Sequence, residues 1–179
     1  MTGEGWVSLG SADSISSPTC GPSQTAITSA TPCAGSKNWS NPTALCATGL
    51  VPALHNPPTQ SDYDTNWGIQ IGVDENEPAS AIGQVFRTIT FEVSGSPSSG
   101  LRAELHRHGD PLPTIYCATF VSGVPVQFTA FNTACWDGSG TPFKAADVLS
   151  IDKVIIHVPP ASTAITLQAL CLKRIVFQP

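Results

Sequence analysis

The sequence predicts an all-β protein, an antiparallel β-sandwich stabilised by disulfides, and three observations carry that prediction. Apolar and polar residues alternate with a period of two in short runs, the runs end at Gly, Pro, Ser or Asn, and the six cysteines are even in number and widely spaced. Charged residues make up 12% of the chain and hydrophobic ones 41%, with 15 Gly and 16 Pro. Such a composition is rich in turns yet apolar enough for a core, which separates it from disordered chains. A length of 179 residues suits one domain and leaves two full ones cramped. The chain is therefore read as a single domain over 1–179, with 1–42 as a loosely structured N-terminal arm within it.

Residues 1–61 carry only Glu4, Asp13 and Lys37 as charges and are crowded with Ser, Thr, Pro and Gly. Short strands are expected at 6–9 and 43–51, with Cys20, Cys33 and Cys46 pinning what the core cannot. From residue 63 onward the strand signals are dense. WGIQIGV (67–73) sets Trp67, Ile69, Ile71 and Val73 against Gly68, Gln70 and Gly72, and the small residues mark a closely approached face. RTITFEV (87–93) puts Ile89, Phe91 and Val93 inside, and the turn SGSPSSG (94–100) follows. Next, Leu101, Ala103 and Leu105 alternate with Arg102, Glu104 and His106, so one face is apolar and the other is a polar platform. Asp110-Pro111 breaks that run, and 114–120 starts a second strand containing Tyr116. Further strands are expected at 124–131, 153–158 and 164–177. Only 144–150 reads as helical, for one or two turns.

The net charge of -5, with eight Lys and Arg thinly spread, offers no basic stripe for nucleic acid or an anionic membrane. Neutral ligands are the default expectation. No run approaches the roughly 18 apolar residues of a membrane span, and no leading apolar segment is present; Met1 is read as the start left after removal of an export signal. With no CxxC pair and no Cys/His cluster at zinc spacing, disulfides are expected over metal, which implies an oxidising, extracellular setting. Order and loop economy favour Cys20 with Cys33, Cys46 with Cys171, and Cys117 with Cys135.

Three constellations have chemistry in them. Sugars are held by laying C–H faces on flat rings while amides, carboxylates and Arg take the hydroxyls. Trp67, Tyr116 and Trp136 with Gln70, Arg102, Glu104, His106 and Asp137 supply those groups. His106-Arg107-His108 has the His-x-His opening of the cupin metal motif, but the Glu that should follow is missing, with Leu112-Pro113 in its place. The oxygen donors of Asp74, Asn76 and Glu77 suit a structural calcium ion. For catalysis there is little: no GxSxG elbow occurs, and Glu92 with Glu104 is the nearest thing to a glycosidase carboxylate pair.

From about residue 45 to 177, some three-quarters of the chain, the order of motifs resembles the galactose-binding-like β-sandwich of secreted carbohydrate-binding modules. The pieces that carry the likeness are WGIQIGV, TITFEVSG, LRAELH, FNTACWDGSGTPF, IDKVIIHV and ITLQALCLKRIVF. The chain is also similar to cysteine-containing secreted proteins of myxobacteria and related bacteria. The resemblance implies a jelly-roll sandwich with a ligand on a concave sheet face or at loops on one edge. Carried over by position, the face residues are Arg102, Glu104, His106 and Tyr116, with His157, and the loop residues are Trp136 and Asp137. His157 points away from the side of Val154, Ile156 and Val158, as a surface residue between apolar neighbours would.

The expectation that follows is a secreted, non-catalytic module binding a neutral polysaccharide, a β-glucan or other cell-wall glycan, as a monomer or appended to a larger secreted protein. The alternatives are a cupin-like or copper-dependent oxidative enzyme using His106 and His108, and an extracellular filament or adhesin subunit whose N-terminal arm pairs with a neighbour's sheet edge.

Overall fold

The period-two pattern is realised as short strands in two facing antiparallel sheets. A computed structural model of the chain describes residues 3–9, 14–15, 19–20, 44–75, 86–111 and 114–179. In chain order the elements are β1 (Gly3–Leu9), β2 (Ser14–Ile15), β3 (Thr19–Cys20), β4 (Leu45–Val51), α1 (Gln60–Thr65), β5 (Ile69–Glu75), β6 (Thr88–Ser96), β7 (Arg102–Arg107), β8 (Tyr116–Thr119), β9 (Val126–Gln127), β10 (Ile151–Val158) and β11 (Ile165–Gln178). One sheet has the order β1-β5-β10-β7-β8 and the other β2-β4-β11-β6-β9, with β3 also paired to β4.

The pairings are nested. β7 pairs with β8, β6 with β9, β5 with β10, and β4 with β11. That is one long antiparallel ribbon folded over on itself, the jelly roll, and the β7–β8 hairpin lies at the centre of the nesting. Alternation then decides which residues meet. Ile69, Ile71 and Val73 of β5 and Val154 and Ile156 of β10 are fully buried, as are Ile89 and Phe91 of β6 and Leu167, Leu170 and Leu172 of β11. Each such side chain contributes about 1.5–3 kcal/mol through burial. A β-bulge between Ile151 and Lys153 of β10 admits one extra residue, so Ile151 and Val154 both reach the core.

Among the described residues, two disulfides bind the sheets and loops. Cys46–Cys171 links β4 to β11 across a separation of 125 residues, and Cys117–Cys135 ties β8 to the loop that follows β9. Both match the pairing that loop economy favours. The expected Cys20–Cys33 bridge lies outside the described residues, as does most of the 1–42 arm. Among the described residues, no helix is long and apolar enough to cross a membrane.

Three elements differ from expectation. α1 is a helix the strand-dominated reading did not foresee. It forms on a capping box: the Thr59 hydroxyl accepts from the Asp62 amide while the Asp62 carboxylate accepts from the Thr59 N–H at 2.6 Å. The expected strand at 124–131 pairs only over Val126–Gln127 and then turns into a 3-10 turn, Phe128–Ala130, that buries Phe128. The expected strand at 67–73 begins at Ile69 because Gly68 sits at φ +101, outside extended backbone. At the far end of β7, Arg107 forms ion pairs with Asp110 at 2.6 Å and Asp147 at 2.9 Å, and lies 5.1 Å over the Tyr116 ring. The Asp110 hydrogen bond comes first in holding this guanidinium's pKa above its ordinary value. It fastens the 3-10 turn Ala145–Ser150 to the hairpin.

Candidate functional site

Register places the polar side chains of the first sheet in rows on its outer face. His157 of β10 lies opposite Gln70 of β5 on one side and Arg102 of β7 on the other, and one pleat further on Glu104 lies between Ile155 and Cys117. Diagonal neighbours on a sheet are about 7–8 Å apart, within reach of long side chains. His157 Nδ1 therefore meets its diagonal neighbour Glu104 Oε1 at 2.6 Å, and Gln70 Nε2 of β5 reaches across β10 to donate to Glu104 Oε2 at 2.9 Å. Glu104 and His157 are both buried, so their partners decide whether they are tolerated.

The other ring nitrogen, His157 Nε2, lies 2.7 Å from the Trp67 carbonyl oxygen. A carbonyl only accepts, so Nε2 carries a hydrogen and donates. The contact between Nδ1 and Oε1 fixes the imidazole against the Glu104 carboxyl group. Gly68 makes the Trp67 contact available: its φ is +101, and a Cβ there would lie 2.1 Å from the Val158 carbonyl oxygen and 3.0 Å from His157 Nε2. Only glycine fits that approach.

Beside this pair is a pocket of about 430 Å³ lined by Arg102, Glu104, Thr114, Ile115, Cys117, Thr133, Trp136 and His157. Its lip is the loop after β9. The Cys117–Cys135 disulfide anchors that loop beside β8, and the bridges Cys117↔Asn132 and Asn132↔Pro142 extend it across the sheet edge. Inside the loop, the Ala134 amide donates to Asn132 Oδ1 at 2.8 Å and the Thr141 amide to Thr133 Oγ1 at 2.9 Å. On this braced support Trp136 is 67% exposed. A large ring held in water by a rigid loop is arranged for contact rather than for packing. A second groove of about 490 Å³ runs along Phe120, Val121, Val124 and Gln127. It is the larger of the two, but no charged side chain lines it, so the chemistry belongs to the first pocket.

The sequence-derived candidates separate on this geometry. Arg102, Glu104 and Trp136 come together in the pocket, and Gln70 holds Glu104 from β5, two strands away. Trp67 is half-buried; its carbonyl accepts the hydrogen bond from His157 Nε2, and its ring lies 6.4 Å from the imidazole. Tyr116 is a correction. It lies opposite Leu105 in the hairpin register, shares the core face of that residue, is 5% exposed, and packs edge-on against Phe143. The β8 residues opposite Arg102 and Glu104 are Thr119 and Cys117. Asp137 is also not in the pocket. Its carboxylate is held below the usual range by the Ser139 N–H and then by the Ser139 hydroxyl, so it serves the loop's own turn.

His106 lies one pleat beyond Glu104, opposite Lys153. Burial, and next the charge of Lys153, lower its pKa, and its Nε2 finds no hydrogen-bond partner. His108 sits in the turn after β7, largely exposed, with Nδ1 3.8 Å from Asp152. Among the described residues, no group of three or more His, Cys, Asp or Glu is placed to hold a metal ion. For the calcium reading, Asp74 is 3.3 Å from the Lys153 ammonium, and Asn76 and Glu77 lie outside the described residues. Glu92 pairs with Arg174 on the opposite sheet, so it and Glu104 do not form a carboxylate pair.

His157 is the principal residue whose role the sequence concealed. Its direction was readable from parity, but it is buried and doubly hydrogen-bonded rather than a surface residue. Thr114 and Thr133, isolated hydroxyls in turns, carried no signal.

Fold and site together define a jelly-roll β-sandwich with a polar, aromatic-lipped pocket on the outer face of one sheet. Set against family models, curated proteins and solved structures, the chain matches none of them.

Proposed function

We propose that this protein is a secreted carbohydrate-binding module that holds a polysaccharide of the cell-wall type without cleaving it. The observation that carries the reading is Trp136, presented to solvent on a disulfide-braced loop beside Arg102, Glu104 and His157. A flat exposed ring next to fixed hydrogen-bonding groups is the division of labour that sugars require. Glu104 supports binding over hydrolysis. It is the only carboxylate lining the pocket among the described residues, and both of its oxygens are engaged, whereas glycosidases need a pair of carboxyl groups set about 5–10 Å apart. The disulfides favour an oxidising location.

Affinity electrophoresis in gels cast with soluble plant and microbial polysaccharides tests the proposal. The protein is expected to be retarded by at least one of them, and Trp136→Ala to weaken that retardation by about 1–3 kcal/mol. His108→Ala, at an exposed turn outside the pocket, serves as the control and leaves mobility unchanged. Retardation that survives Trp136→Ala intact removes the pocket as the binding site.

A further inference from the structure

The chain-wide charge of -5 points to neutral ligands, but a ligand in the pocket meets the local charge. At 0.15 M salt, charges more than about 8 Å away are largely screened. In the pocket, the Glu104 carboxylate is already engaged, by His157 Nδ1 at 2.6 Å and by the Gln70 amide at 2.9 Å. Arg102 lines the same pocket, and among the described residues its guanidinium has no hydrogen-bond or ion-pair partner. Arg107 and Arg174, by contrast, each pair with aspartate or glutamate. The pocket therefore presents a guanidinium with no partner among the described residues, a planar fork that matches a carboxylate.

We infer that the pocket takes a sugar bearing a carboxylate, a hexuronate unit of an acidic polysaccharide, with Arg102 on the carboxylate and Trp136 against the ring. The inference rests on the carbohydrate-binding reading and names its substrate class. Thr114 and Thr133 supply hydroxyls for the remaining ring oxygens. A neutral glycan offers the guanidinium only hydroxyl oxygens, whereas a carboxylate accepts the stronger charge-assisted pair of hydrogen bonds, a difference that discriminates against the uncharged sugar.

The test is calorimetric titration of the full chain with oligogalacturonate and oligoglucuronate, each beside its methyl ester, and with a neutral cello-oligosaccharide. One acid is expected to bind at least about tenfold more tightly than its ester, the range of a charge-assisted hydrogen bond, and to weaken as salt rises. Arg102→Gln should bring acid and ester to equal affinity. Arg102→Lys keeps the charge without the fork and should give an intermediate ratio, which keeps the proposal testable if Arg102→Gln does not fold. An ester bound as tightly as its acid, or an acid-to-ester ratio unmoved by either variant, overturns the inference. Binding of the neutral oligosaccharide alone, lost in Trp136→Ala, also overturns it while carbohydrate binding stands. If no glycan of either charge binds, both readings fall.

Discussion

Replacing His157 by leucine removes one member of a buried, charge-compensated pair and leaves the other in place. Glu104, 5% exposed, would keep only the Gln70 amide as a partner, and the Trp67 carbonyl would lose the donor 2.7 Å away. Breaking a buried pair from one side costs about 3–5 kcal/mol. For a chain of this size each kcal/mol moves the midpoint by about 2–4 °C, so His157→Leu should lower the thermal midpoint by about 6–20 °C. Glu104→Gln is the contrasting variant. Its carboxamide accepts from Gln70 with the oxygen and donates to Nδ1 with the nitrogen, which leaves every partner satisfied, at about 1 kcal/mol or less. Thermal and urea unfolding of the two variants at pH 7 provides the comparison. A His157→Leu loss below about 1 kcal/mol, or a Glu104→Gln loss equal to it, would show that water already separates the pair and would refute the buried pairing.

Gly68→Ala should cost at least about 3 kcal/mol, since the added carbon meets the Val158 carbonyl at 2.1 Å in a left-handed backbone conformation; urea unfolding reads it, and a neutral outcome would mean that the Trp67 loop moves freely. Opening Cys46–Cys171, which closes 125 residues, should lower stability by about 5 kcal/mol on chain entropy, and opening Cys117–Cys135, which closes 18, by about 3. The paired serine variants check this by unfolding, and only the Cys117/Cys135 pair should also weaken any Trp136-dependent glycan binding. Asp62 has its pKa lowered from 3.8 to about 2, first by the Thr59 N–H and then by the His55 ring. Because the folded value is the lower one, its support of α1 is complete above pH 4 and is lost as pH falls through 2. A carboxyl titration followed by NMR that shows an ordinary midpoint would refute the capping box.

What was legible before folding was local. Alternation in LRAELH and IDKVIIHV correctly assigns the core sides of Ala103, Leu105, Val154 and Ile156, because side-chain direction along a strand has period two whatever the neighbours are. Tyr116 shows where that logic stops. Its own strand is only four residues long, and which of its faces joins the Arg102 face depends on the hairpin register, which the unpatterned 108–115 turn does not announce. α1 was missed for a related reason: a capping box without an apolar stripe behind it has no periodicity to detect.

The class of the protein was legible in the chain alone, since composition, period and an even set of scattered cysteines all pointed to a disulfide-linked sandwich. The chain also supplied Arg102, Glu104, Gln70 and Trp136 as candidate groups. Folding is what brings Glu104 and His157, 53 residues apart, to 2.6 Å, leaves Arg102 without a partner among the described residues, and sets Trp136 in the lining of the same pocket. Those facts depend on which strands lie side by side in the nested ribbon, and pairing between distant strands is set by the whole core acting together rather than by any stretch that can be read alone.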